Sequence, residues 1–126
     1  MLGHSAIRPT IPVTDLERAK KFYVEVLGLQ PLSVNMQGMA LLSAGSGTQV
    51  ELYQRAQTKA DHTVATFEVD SIDAVVQNLR DKGVRFEEYD MPEIKTQNGI
   101  ATLGPVKAAW FKDPDQNILC IHQVST

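Results

Sequence analysis

Apolar and polar positions alternate at the start of the chain. Ile7, Ile11 and Val13 fall on one side of an extended segment, with Arg8, Thr10 and Pro12 on the other. From Leu16 the period changes: Leu16, Ala19, Phe22, Tyr23, Val26 and Leu27 recur at helical spacing and form one apolar stripe. Thr14 stands at the expected N-cap, Glu17 three positions on completes a capping box, and Gly28 marks a left-handed stop. A strand therefore feeds a helix of about three to four turns. Three short extended segments follow, Leu32–Val34, Met39–Ser43 and Thr48–Tyr53, separated by turn signals at Asn35–Gly38 and Ala44–Gly47. In the last of them Val50 and Leu52 point one way and Gln49, Glu51 and Tyr53 the other. The first half reads β-α-β-β-β.

The second half repeats this order. Thr63–Val69 reads as a strand, with Ala65, Phe67 and Val69 on one side and Val64, Thr66 and Glu68 on the other. Asp70 takes the capping place, Asp73 the third helical position, and Ile72, Val75, Val76 and Leu79 the stripe, with Gly83 as the stop. Val84–Tyr89, Lys107–Phe111 and Ile118–Val124 complete three more strands. Val13 recurs as Val69 and Gly28 as Gly83, offsets of 56 and 55 positions. An internal repeat of this kind constrains the fold more than any single element. The polar stretch Gln54–Ala60 reads as the linker. One run, Met91–Gly104, has no counterpart in the first half. It reads either as a functional loop closing over a binding site or as a hairpin with Asn98-Gly99 at its tip.

Length and charge narrow the class. At 126 residues the chain has room for one domain built of two modules, about residues 5–55 and about 62–124. With 43% hydrophobic and 21% charged residues it is ordinary globular protein. A net charge of −3 offers no basic footprint, so no nucleic-acid partner is expected. No apolar run approaches the roughly 18 residues of a membrane span, and the first residues lack a charged-then-apolar leader. The single cysteine, Cys120, excludes an intrachain disulfide framework and fits a reducing compartment. The expectation is a cytoplasmic protein with no membrane partner.

Two motifs carry a family likeness. The run Val13–Ala19 followed by Phe22-Tyr23 and Leu27-Gly28-Leu29, together with Trp110-Phe111-Lys112-Asp113-Pro114-Asp115-Gln116-Asn117 before the last strand, resembles the vicinal-oxygen-chelate superfamily. That group includes glyoxalase I, bleomycin-resistance proteins and extradiol dioxygenases, and it often has Gly in the place of Gln116. The resemblance implies an α+β fold of two tandem βαβββ modules, whose cupped mixed sheets surround a cavity with the helices outside. Members of this length are commonly homodimers.

The resemblance also implies where a metal would sit. Metal-dependent members hold one divalent ion with four side chains, one from the first and one from the last strand of each module. Carried over by motif, these positions are Arg8, Glu51, Val64 and Cys120. Only Glu51 matches. Arginine is a fixed cation without a lone pair to donate, and valine has no donor at all. The expectation is no metal and no cofactor. Of the three histidines, alternation places His4 with Arg8, His62 with Val64 and His122 with Cys120. If the strands bearing His62 and His122 run parallel, the two rings are displaced in opposite senses by about 13 Å, too far to share an ion.

The remaining candidates form a ligand-binding set: Arg8, Glu51, Tyr53, Trp110, Cys120 and His122. Arg8 can fork onto a carboxylate or phosphate, and Glu51 can accept a hydrogen bond or act as a catalytic base. The plain alternative is an internal Arg8–Glu51 ion pair standing where the metal charge would be. Tyr53 and Trp110 are possible flat walls, Cys120 reads as an inert buried thiol, and Glu68 as a solvated carboxylate at a rim. Lys107 and Lys112 read as solvated charges at strand ends. The expected function is metal-free binding of a small molecule, of a sequestering or resistance type. The alternative is a lyase, isomerase or dioxygenase-like enzyme acting on a small oxygenated substrate, with Glu51 as its base.

Overall fold

The computed structural model describes residues 2–33 and 37–125, and the chain divides into two compact units, residues 1–58 and 59–126. In the first unit β1 (Thr10–Val13) leads into α1 (Leu16–Lys21), which runs on as a wide π-helical turn over Phe22–Val26. Strands β2 (Gln30–Pro31), β3 (Met39–Ser43) and β4 (Gln49–Gln54) follow. The sheet order is β1-β4-β3-β2. β1 runs parallel to β4, and the other neighbours are antiparallel. Period-two alternation sends Ile11, Val13, Ala40, Leu42, Val50 and Leu52 into the core. There they share burial with Ala19 and Tyr23 of the helical segment, and α1 packs on β3 and β4. Each such fully buried side chain contributes about 1.5–3 kcal/mol. The same alternation leaves two rows on the opposite face: Thr10, Glu51 and Leu41, then Pro12, Tyr53 and Met39.

The second unit repeats the plan with an insertion. β5 (Thr63–Glu68) is followed by α2 (Ile72–Asp81), a hairpin of β6 (Thr96–Gln97) and β7 (Ile100–Leu103), then β8 (Val106–Lys112) and β9 (Ile118–Val124). The order is β5-β9-β8-β7-β6, with β5 parallel to β9 and the rest antiparallel. Helix α2 buries Ile72, Val76 and Leu79 and packs on β8 and β9. Gly83 ends it at φ 93°, with the Gly83 and Val84 N–H groups donating to the Arg80 and Leu79 carbonyls. Each unit is a βαβββ-like module with a mixed sheet and its helix on one face, the α+β plan that the repeat predicts, and neither sheet closes into a barrel. Among the described residues no helix is long and apolar enough to cross a membrane.

Several boundaries move. Both helices are capped one residue later than the pattern suggests. Asp15 accepts from the Arg18 N–H at 3.1 Å and Ser71 from the Ala74 N–H at 3.4 Å, each cap being extended, at φ −137° and −133°. Thr14 instead accepts from the Arg18 guanidinium. β1 begins at Thr10, so Ile7 is exposed rather than core, and His4 lies in a 3₁₀ turn (Leu2–His4) where strand alternation no longer assigns it a face. The second strand pairs at Gln30–Pro31 rather than Leu32–Val34, with Leu32 N–H still donating to Leu41. Val34 of that expected strand and Asn35 and Met36 of the Asn35–Gly38 turn lie outside the described residues.

The largest correction concerns the outer edge of β8. Val84–Tyr89 is not a strand: with β8 it makes a single bridge, Phe86 to Phe111, and a hydrogen bond from Glu87 N–H to the Trp110 carbonyl. The reason is competition. The hairpin strand β7 pairs with β8 over Val106–Ala108, leaving only the far part of that edge to the Val84–Tyr89 segment. Of the two readings of Met91–Gly104, the hairpin holds. Asn98 and Gly99 form its tip at φ 54° and 79°, the left-handed pair that a two-residue turn demands.

Candidate functional site

The open face of the first sheet brings three expected residues together. Glu51 lies opposite Thr10 in the parallel β1–β4 register. Arg8, two residues earlier on the chain, reaches back with Nη1 3.5 Å from Glu51 Oε1. The Thr10 hydroxyl donates to the other carboxylate oxygen, Oε2, at 3.0 Å. The side chains are 38% exposed for Arg8 and 22% for Glu51, so the pair is wet rather than sealed. Beside it, Thr10, Met39, Tyr53, Gln37, Gly38 and Gln54 line an open recess of about 450 Å³. Thr10 thus belongs to both the charged pair and the recess. The alternation in the sequence already puts Thr10 on Arg8's side, but its role depended on register.

The second sheet carries the other three. Trp110 pairs with Cys120 and Ala108 with His122 across β8–β9, while Thr66 and Glu68 face Cys120 and His122 across β5–β9. These residues share the face turned away from α2. Burial pushes the Cys120 thiol up, partly offset by hydrogen bonds involving the Thr66 hydroxyl and the Ala109 backbone. The thiol is free and buried, and its burial favours the neutral form. Tyr89, which no sequence signal singled out, packs edge-on against Trp110 at 5.4 Å between ring centres. Its hydroxyl is pushed up, first by burial and then by Glu87 and Cys120. Glu68 and His62 are exposed, and His62 pairs with the adjacent Asp61 at 3.0 Å. Lys112 is the exposed charge at a strand end that the sequence suggests, and it pairs with Glu87 at 3.4 Å.

The repeat now has a structural register: Thr10 faces Glu51 as Thr66 faces Cys120. Arg8 and Val64 stand two residues before those threonines, but Val64 lies at a bulge where Thr63 pairs with Ile118 and Ala65 with Leu119, so the two correspond by sequence offset rather than by register. The family's four-ligand pattern falls on Arg8, Glu51, Val64 and Cys120, and these residues do not fit a divalent ion. One is a cation, one an alkane and one a lone thiol, and the sole carboxylate is already engaged by Arg8 and Thr10. Among the described residues no group of three or more His, Cys, Asp or Glu side chains is placed to hold a metal.

The turn before β9 is built from its own residues. The Asp113 carboxylate accepts from the backbone N–H of Asp115 and of Asn117, each at 2.9 Å, and from the Asn117 amide at 2.9 Å. Gln116 takes φ 69° within it, which is why a glycine suits that place.

Comparison with known proteins agrees with this architecture. The crystal structure of TnmS3, an antibiotic binding protein from Streptomyces sp. CB03234, is 25% identical over 97% of this chain and 100% of its own, with a TM-score of 0.69. A member of the glyoxalase/bleomycin resistance protein/dioxygenase superfamily from Sphaerobacter thermophilus DSM 20745 is 25% identical over 98% and 99%, with a TM-score of 0.68. A glyoxalase/dioxygenase from Nostoc punctiforme, 16% identical over 98% and 92% with a TM-score of 0.70, shares the fold. The model of the Glyoxalase/Bleomycin resistance protein/Dioxygenase superfamily matches residues 2–121, and the chain belongs to that superfamily.

Proposed function

We propose that this protein binds a small molecule without a metal and without transforming it, as a sequestering or resistance-type member of its superfamily. The observation that carries the reading is the fate of the ligand positions: the module plan is intact, yet Arg8 and Val64 cannot donate to a metal and Glu51 is held by Arg8 and Thr10. TnmS3, similar over nearly the whole chain, binds an antibiotic, and it supports the same class of role here. The binding residues are Arg8, Glu51 and Tyr53 on the first sheet and Trp110, Cys120 and His122 on the second. Residues 1–126 act as a single domain of two modules, in a cytoplasmic homodimer that has no nucleic-acid partner. The sheets themselves favour association, because the outer edges of β1 and β5 are left without a strand in their own sheets.

Trp110 is the only tryptophan, so its fluorescence reports binding directly. Chelator-treated protein titrated with a panel of planar, oxygen-bearing aromatic compounds is expected to show saturable quenching by some of them. The compounds should be recovered unchanged, and added divalent metal should have no effect. Conversion of a compound, or binding that returns only with metal, would establish the enzymatic alternative instead.

A further inference from the structure

We propose that Arg8 is the anchor of an anion-recognition subsite on the first sheet, and that the ligand carries a carboxylate or similar acidic oxygen group next to an apolar ring. This inference rests on the binding reading above and gives it a ligand class. A divalent metal selects paired oxygens that can chelate, whereas a guanidinium selects one delocalised anion that can accept two parallel N–H groups. The substitution at position 8 therefore changes the chemistry that is recognised rather than merely deleting a site.

Three features of the geometry point the same way. First, the Arg8–Glu51 contact is open. A closed guanidinium–carboxylate fork makes two hydrogen bonds at about 2.7–2.9 Å, but here one nitrogen stands 3.5 Å from one oxygen. Second, Glu51 has a second anchor, the Thr10 hydroxyl at 3.0 Å, so its carboxylate stays in place if the guanidinium turns to another anion. Third, the recess that Thr10 shares is walled by Tyr53 and Met39, which offer a flat ring and a pliable thioether to an apolar body. Glu51 and the apolar wall lie in adjacent rows of one sheet face, and Arg8 meets that face at Glu51.

The arrangement assigns opposite signs to the two partners. Arg8 attracts the incoming anion, and Glu51 competes with it for the guanidinium. In a merely structural ion pair, removing either partner would act in the same direction. The probes are 2-naphthoate and its neutral analogue 2-naphthamide, titrated into ¹⁵N-labelled protein. Naphthoate is expected to bind at least about tenfold more tightly than the amide, the effect of one charge-assisted contact. The shifts should centre on Thr10, Glu51 and Tyr53. Arg8→Met should bring naphthoate down to the affinity of the amide while leaving the amide unchanged. Glu51→Gln should tighten naphthoate severalfold. Because the pair is partly exposed, both variants should keep the native spectrum, and Arg8→Lys, which retains the charge but loses the fork, should fall between. Equal affinities in the wild type, a preference that survives Arg8→Met, or weaker naphthoate binding in Glu51→Gln would each overturn the subsite. If the amide binds this face as well as naphthoate does, the anion subsite fails while the binding reading stands. Failure of both probes to move any resonance of the face also overturns the subsite, and the binding reading is then judged by its own fluorescence titration.

Discussion

At the scale of single residues, Arg8 and Cys120, two of the three positions that depart from the family's ligand pattern, behave differently. Arg8 and Glu51 pair across 3.5 Å with 38% and 22% of their side chains exposed, so water screens the attraction and solvates either partner when the other is lost. Arg8→Ala should therefore cost less than about 1 kcal/mol in urea unfolding, the range for a wet pair, rather than the 3–5 kcal/mol of a sealed one. A double-mutant cycle with Glu51→Gln should give a coupling of a few tenths of a kcal/mol. A coupling of several kcal/mol would mean that the pair is buried in solution. Cys120 is the opposite case, a thiol pushed up by burial. The folded chain keeps this proton after the unfolded chain has begun to release it. The contribution is therefore fully present below about pH 8.5, the usual unfolded thiol value, and is lost as pH rises through the folded value. Between pH 7.5 and pH 9.5 the wild type should lose more stability than Cys120→Ala, by no more than about 1.4 kcal/mol per pH unit. Equal losses in the two proteins would show that Cys120 titrates alike folded and unfolded.

At the scale of elements, periodicity revealed most of what local pattern can specify. β9 runs Ile118–Val124, matching the residues that alternation selects, and both helix stripes bury their expected residues at Ala19, Tyr23, Ile72, Val76 and Leu79. What alternation cannot carry is competition for a partner. Val84–Tyr89 has the composition of a strand, but the β8 edge it would need is shared with a hairpin whose sequence, Thr96–Leu103, is polar and short. The hairpin is held from both sides. Arg80 donates to the Asn98 carbonyl at 2.6 Å and lies over the Phe86 ring, while the Glu88 carboxylate accepts from Gly99 N–H at 2.8 Å and from the Thr96 hydroxyl at 2.6 Å. Those contacts leave no space at the tip. A Cβ on Gly99 would stand 2.9 Å from Arg80 Nη2 and 3.0 Å from Phe86 Cβ, at a φ of 79°. Gly104, at φ 62°, has nothing within 4 Å of its Cβ position. Gly104→Ala should thus cost only the conformational penalty of about 1–2 kcal/mol, and Gly99→Ala about 1–3 kcal/mol more from the collision. Thermal unfolding of the two variants tests this, and equal losses would mean that the hairpin tip is not seated against Arg80 and Phe86.

At the scale of the whole molecule, the repeat did what single motifs could not. The 56-residue offset that relates Val13 to Val69 also relates Thr10 to Thr66 and Arg8 to Val64; the strand registers honour it at the threonines, with Thr10 opposite Glu51 and Thr66 opposite Cys120, while a bulge at Val64 breaks it two residues earlier. The candidate site was legible to the same depth. Arg8, Glu51 and Tyr53 could be placed on one face because alternation within two strands fixes it. Thr10 and Tyr89 gained their roles only from pairing and packing across strands, which no linear pattern encodes. The repeat also makes the metal prediction a property of the chain rather than of one strand pair. Each module lacks a donor at the first of its two ligand positions, Arg8 in one and Val64 in the other, so no pairing of modules, within a chain or across a dimer, assembles more than Glu51 and Cys120. One carboxylate and one thiol are too few for the four-ligand site of a bound divalent ion. Protein purified from its own host should carry less than about one tenth of an equivalent of nickel, zinc, iron or manganese by elemental analysis, and its unfolding temperature should be unchanged by a chelator or by added metal. A stoichiometric metal, or a rise in unfolding temperature on adding one, would show that other residues of the chain have taken over as ligands.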